Sequence, residues 1–121
     1  MYTIFIETTF KARHQLTFED GTQEPLHEHD WKVCAAVCSE RLNREEMVID
    51  FEELKALLES ILRNFHGQKL ESMGLFEHRN VTAENLARIV YGQLSPKLPD
   101  TVRLSFVEVT EAPGCRACYT L

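Results

Sequence analysis

Three of the five histidines fall where they could share one metal ion. His27 and His29 form an H-x-H pair opening a stretch that alternates apolar and polar residues, and that alternation predicts a strand. Residues two apart on a strand project from one face, about 6 to 7 Å from each other. Two imidazoles so spaced can converge on one ion, with Zn–N distances of about 2.0–2.1 Å. His14 continues the even-numbered apolar face of the preceding segment, so all three rings carry core-facing parity. Three protein ligands leave one zinc position open to water or substrate, the arrangement of a catalytic site. An H-x-H pair alone also describes two ordinary polar residues. The inward parity of His14 adds weight, because a buried imidazole needs a partner.

The elements that must position these rings are legible from periodicity. Residues 2–14 predict a strand with Tyr2, Ile4, Ile6, Phe10 and Ala12 on one face. Residues 17–26 carry Asp-Gly and Pro and predict a loop. Residues 27–39 predict a second strand, with His27, His29, Trp31, Val33, Ala35 and Val37 opposite Lys32, Cys34 and Cys38. Asp50, with Glu53 three later, resembles a capping box. Phe51, Leu54, Leu57, Leu58, Ile61, Leu62 and Phe65 then form a helical stripe that Gly67 would end. Residues 66–81 read as irregular and polar. Thr82 is a good N-cap for a second helix, with Glu84 on its N-terminal dipole. Leu86, Ile89, Val90 and Leu94 form its buried side, and Pro96 stops it. Residues 101–111 and 116–121 predict two more strands around an Ala-Pro-Gly turn. The order strand, strand, helix, helix, strand, strand predicts an α+β domain, helices on one face of an antiparallel sheet.

Composition narrows the function classes. The 121 residues suit one domain, 1–121. Hydrophobic residues make up 44% and charged residues 26%, the balance of a globular protein. A formal charge of −6 repels phosphate backbones and argues against nucleic-acid binding. No apolar run approaches the roughly 18 residues of a membrane span, and Met1-Tyr2-Thr3-Ile4 is unlike a signal peptide. The expected location is the cytoplasm. Cys34 and Cys38, four apart on a strand, stand roughly 13 Å apart and cannot bridge. Cys115 and Cys118 form a single C-x-x-C, whereas a zinc ribbon usually uses two such pairs; reduced thiols are the simplest expectation.

Five segments stand in an order that adds a further inference: F-K-A-R-H (10–14), H-E-H-D-W-K-V (27–33), M-V-I-D-F-E-E-L-K (47–55), T-A-E-N-L-A (82–87) and V-E-V-T-E-A (107–112). With these, the chain resembles the 6-pyruvoyltetrahydropterin synthase and 6-carboxytetrahydropterin synthase family over nearly its whole length. The resemblance implies the tunnelling fold, a four-stranded antiparallel sheet with two helices on one side. It implies trimers whose sheets close a barrel, stacked in pairs as homo-hexamers with intersubunit active sites. It implies Zn2+ held by His14, His27 and His29, which would polarise oxygens on a reduced pterin's side chain. It implies Glu111 as the anchor of the pterin ring, whose aminopyrimidine edge offers adjacent N–H donors to a carboxylate. Thr82 and Glu84 would contribute to the same pocket, beside their capping role.

Three departures from the family pattern stand out. The cysteine base expected four residues before the first histidine of H-x-H is Gln23. The next residue, Glu24, matches a variant branch with the pattern E-x-x-H-x-H, associated with cleaving dihydroneopterin-type substrates. Glu24 is thus a candidate general base, or one more acid in an acidic loop. The Asp-His pair of a D-H-x-x-L segment is replaced: F-H-G-Q-K-L (65–70) puts His66 and Gly67 there. His66 is a candidate acid–base group, His78 a weaker one, and either could be a solvated loop residue. Glu28 and Glu46 stand where the family has glycines. The leading expectation is a zinc-dependent lyase acting on dihydroneopterin or its triphosphate. The alternatives are a pterin-binding protein without synthase activity and an oligomeric structural protein without a ligand.

Overall fold

The computed structural model describes residues 1–121. Strands β1 (Tyr2–His14) and β2 (His27–Ser39) come first, then helices α1 (Phe51–Leu62) and α2 (Ala83–Leu94), then β3 (Arg103–Ala112) and β4 (Cys115–Tyr119). Short 3-10 turns occupy Leu70–Met73 and Ser95–Lys97. The strands make one antiparallel sheet in the order β1-β2-β3-β4. The α+β order expected from periodicity is the observed one. No helix is long and apolar enough to cross a membrane.

Alternation decides which face of the sheet is covered. Ile6, Phe10 and Ala12 of β1, Trp31, Val33, Ala35 and Val37 of β2, and Leu104, Val107 and Val109 of β3 are buried. They form one cluster with Leu54, Leu58, Ile61 and Leu62 of α1 and Leu86, Ala87, Val90 and Leu94 of α2. Their neighbours Glu7, Lys11 and Lys32 face the other way and are exposed. At roughly 1.5–3 kcal/mol per fully buried large apolar side chain, this cluster is the main force holding both helices on one face.

Several local expectations are corrected. Asp50 caps α1, but its Oδ1 accepts from the N–H of Glu52 rather than sharing a reciprocal box with Glu53. The helix ends at Leu62, well before Gly67; the chain turns through 63–67 with Phe65 still buried and Gly67 at φ 76°. Tyr2 and Phe51, placed on apolar faces by spacing, are exposed because each opens its element where the opposing layer gives no cover. Ile89 is only half-buried, and α2 buries Ala87 and Tyr91 instead. Segment 66–81, polar in composition, plugs the core with Leu70, Phe76 and Val81. Isolated anchors of this kind have no period to reveal them. The last two strands begin at Arg103 and Cys115 and end at Ala112 and Tyr119, shifted slightly from the expected bounds. All four cysteines are free thiols.

Candidate active site

The site sits at one end of the sheet. In the β1–β2 register His14 lies directly opposite His27, and His29 opposite Ala12. Cross-strand and same-strand neighbours thus bring the three rings onto the helix-covered face. Each ring offers one nitrogen, and these three atoms all lie within 4.8 Å of one another. Ring centroids are 4.6 Å apart for His14–His27, 4.7 Å for His27–His29 and 5.0 Å for His14–His29. His14 is 1% exposed, and the other two are half-buried.

For His14 and His27, hydrogen bonding sets which nitrogen keeps its lone pair. His14 Nδ1 donates to the carbonyl of Val81 at 2.7 Å, and His27 Nδ1 donates to the carbonyl of Pro25 at 2.8 Å. A carbonyl can only accept, so both Nδ1 atoms carry the proton and both Nε2 atoms keep a lone pair. The Nε2 atoms of His14 and His29 are buried and have no hydrogen-bond partner in the protein. Orphaned buried nitrogens of this kind are costly, and a shared cation would satisfy them. Burial pushes the His29 imidazole below its ordinary value of 6.5, with nearby Glu111 opposing the shift. Neutral imidazole is the form that binds a metal. The donor set therefore fits a zinc ion.

Trp31 forms the floor. It is fully buried, donates from Nε1 to the carbonyl of Ala12 at 3.2 Å, and meets His14 and His29 edge-on at centroid distances of 4.9 and 5.4 Å. Its parity with the histidines is visible in sequence, but its role as their support is not.

Two carboxylates flank the triad. Glu24 Oε1 lies 3.7 Å from His27 Nε2 and accepts from the backbone N–H of Leu16 at 3.1 Å. Glu111 Oε1 lies 3.6 Å from His14 Nε2. Neither joins the three-histidine group, so a fourth coordination position would stay open. Glu111 gets its aim from a β-bulge: Thr110 pairs with Arg116 and Ala112 with Cys115, leaving Glu111 as the extra residue on β3. Glu111 also borders a cavity of about 320 Å³ with Thr82, Glu84, Leu16 and Arg116. Thr82 meanwhile caps α2, its Oγ1 accepting from the N–H of Asn85 at 3.1 Å. Capping and pocket-lining therefore coexist in one residue.

Other candidates are placed elsewhere. Gln23 donates to the Thr17 hydroxyl at 3.1 Å. His66 opens the short run 66–69 that pairs with the outer edge of β1, where its Nδ1 accepts from the N–H of Lys11 at 3.1 Å, and it borders a cavity with Thr9, Glu59 and Arg63 but none of the triad. His78 lies on the 74–80 loop beside a third cavity. One carboxylate was not foreseen. Glu71 accepts from the N–H of Gln15, next to His14, at 2.9 Å, and its other oxygen is buried without a partner. It lies in the aperiodic segment 66–81, and no sequence signal marks it.

A four-stranded antiparallel sheet backed by two helices, with a histidine triad at its end, defines a tunnelling-fold protein with a candidate metal site. The family model described as 6-pyruvoyl tetrahydropterin synthase matches residues 3–121, and the chain belongs to that family. It is 33% identical over 125 residues to a 6-carboxy-5,6,7,8-tetrahydropterin synthase from Synechocystis, covering 98% of this chain and 93% of the relative. Its fold matches a Caenorhabditis elegans 6-pyruvoyl tetrahydropterin synthase with a TM-score of 0.86 at 21% identity, covering 99% of this chain and 95% of the other. It also matches Plasmodium vivax 6-pyruvoyltetrahydropterin synthase with a TM-score of 0.77 at 16% identity, over 98% of this chain and 96% of the other. Those Plasmodium structures are described as catalytic-residue mutants in which a glutamate is replaced by alanine or cysteine.

Proposed function

We propose that the chain is a zinc-dependent lyase acting on a reduced pterin, dihydroneopterin or its triphosphate. The observation that carries this reading is the pair of orphaned, buried Nε2 atoms of His14 and His29, in a triad where backbone carbonyls already fix the tautomers of His14 and His27 for ligation. His14, His27 and His29 would hold the ion, which when bound supplies Lewis-acid polarisation of the substrate's side-chain oxygens.

The remaining work falls to the chain's own groups. Glu111 accepts the adjacent N–H donors of the pterin ring, with Thr82 and Glu84 closing the same cavity. Glu24 takes the proton at its carboxylate. The Leu16 N–H orients that carboxylate, and its place beside His27 puts it at the reacting end of the substrate. A glutamate in a catalytic role in the Plasmodium relative gives this residue type a precedent. Trp31 keeps water from beneath the triad.

Assembly as a homo-hexamer, a dimer of trimers, would complete the site. His66 borders a cavity that includes none of its own triad, so a role for it would be at the site of a neighbouring copy. The same placement favours a second reading, a pterin-binding protein without synthase activity. Incubating zinc-loaded protein with dihydroneopterin and with its triphosphate, followed by chromatography, separates the two. A new pterin product supports the lyase, and binding without product supports the second reading.

A further inference from the structure

We propose that Gln15 is a positioning residue for Glu24, holding it beside the triad through the side-chain amide, and that Glu71 anchors Gln15 in turn. This inference rests on the lyase reading above and deepens it. Glu24 lies in a loop, outside any strand or helix. Three of its groups are nevertheless hydrogen-bonded to the two residues that follow His14. Its carbonyl accepts from the Gln15 side-chain amide at 3.0 Å. Its N–H donates to the Leu16 carbonyl at 3.1 Å, and its Oε1 accepts from the Leu16 N–H at 3.1 Å. The loop segment carrying the carboxylate is thereby tied to the end of β1, the strand that supplies His14.

Of these three bonds, two use the Leu16 backbone and form with any residue there except proline. The Gln15 amide is the one contributed by a side chain, so it is the one the sequence can remove. Its loss leaves the Glu24 carbonyl without that donor and the loop with one fewer tie. The next residue extends the effect. Pro25 disfavours the helical region for Glu24, and its own carbonyl accepts from His27 Nδ1 at 2.8 Å. Consecutive peptide groups therefore hold the proposed base and one ring of the triad, and a shift at Glu24 reaches both.

Gln15 is itself held from the other side. Glu71 Oε2 accepts from the Gln15 backbone N–H at 2.9 Å, a charge-assisted bond. It is the one hydrogen bond this carboxylate makes, for Oε1 is buried without a partner. Glu71 opens no contact of its own to the triad. Its neighbour Leu70 is fully buried and fixes the 3-10 turn Leu70–Met73 to the core. The relay thus runs from the core through Leu70, Glu71 and Gln15 to Glu24. A catalytic group misplaced by about 1 Å can cost about 100-fold in rate, so a relay of this length matters to turnover.

Two readouts on zinc-loaded protein test this. Gln15→Leu removes the donor at similar length. It should lower kcat about tenfold with KM for dihydroneopterin and zinc content unchanged. Glu71→Leu should do the same, and Glu71→Gln, which keeps an acceptor oxygen, should retain most of the activity. Because Gln15 acts through Glu24, Gln15→Leu/Glu24→Gln should be no slower than Glu24→Gln alone. Losses that add in full, or a raised KM with unchanged kcat, overturn the proposal. The second readout needs no turnover. Hydrogen exchange at the Leu16 and Glu24 amides should quicken about tenfold in Gln15→Leu, while the core amide of Val33 stays as in the wild type. Unchanged exchange at Leu16 and Glu24 overturns the proposal whatever happens to kcat. Should the wild type make no product, the lyase reading fails by itself, and exchange still decides whether Gln15 holds Glu24.

Discussion

His14 donates its Nδ1 proton to the carbonyl of Val81 at 2.7 Å, tying the last residue of β1 to the residue before the α2 cap. The contact does two things. It aims Nε2 into the triad, and it makes the approach to α2 part of the site. Val81 is itself fully buried, so the carbonyl that orients the ring is held by the core. Orienting partners of this kind, though they touch no metal, affect metal affinity by about 10–100-fold where they have been removed.

Glu24→Gln keeps the shape of the side chain and removes its basicity. Zinc content should stay at the wild-type level, while turnover of the reduced pterin should fall by about 10²- to 10⁴-fold, the usual contribution of a general base. The check is product formation alongside metal analysis of the same preparation. Undiminished turnover would remove Glu24 from the mechanism.

The Lys11 N–H holds His66 beside β1, and the cavity it borders includes none of the triad, so the proposed assembly would place its chemistry in a neighbouring copy. His66→Ala and Glu24→Gln should each be nearly inactive alone. Dissociating, mixing and reassociating the two variants should restore part of the activity, since a mixed site can draw Glu24 from one chain and His66 from another. Mixtures as inactive as their components would contradict this.

Much of this arrangement was legible before any coordinates. Two-residue alternation placed His14, His27 and His29 on one parity, and the register puts His14 opposite His27. Residues 82–94 announced α2 through a cap and a stripe. What escaped was whatever depends on isolated contacts. Phe76 and Val81 anchor a loop with no period. The bulge that re-aims Glu111 comes from how β3 meets β4, not from either strand alone. Glu71 reaches the site through one hydrogen bond to Gln15, residues far apart in sequence. The position of His66 in the chain suggested acid–base chemistry, but only the edge of β1 decides which site it can reach.

Burial holds the His29 imidazole below its ordinary value of 6.5, with Glu111 acting in the opposite direction. Below about pH 6.5 the unfolded chain therefore binds more protons here than the folded one. The His29 contribution to stability should rise as pH climbs from the folded value through 6.5, then level off. Urea midpoints of metal-free protein should be higher at about pH 7.5 than at about pH 5.5, and His29→Gln should narrow that gap. An unchanged gap in the variant would contradict the assignment.

Glu46 occupies φ 65°, in the left-handed region that favours glycine. It stands in a tight loop in which the Asn43 side-chain oxygen accepts from the N–H groups of Glu45 and Met47. A side chain there costs roughly 1–2 kcal/mol, and glycine gives back part of that through unfolded-state entropy. Glu46→Gly should therefore stabilise the protein by roughly 0.5–1 kcal/mol, read as a higher urea midpoint with an unchanged slope. A lower midpoint would show that the loop does not strain this residue.

Elemental analysis of gently purified protein tests whether three imidazoles hold one metal ion at the sheet end. Wild-type protein should carry about one zinc per chain, lost in His14→Ala and His29→Ala, and its melting temperature should rise when zinc is restored. Protein free of transition metal that also fails to take up added zinc, or histidine variants that keep full zinc content, would contradict it.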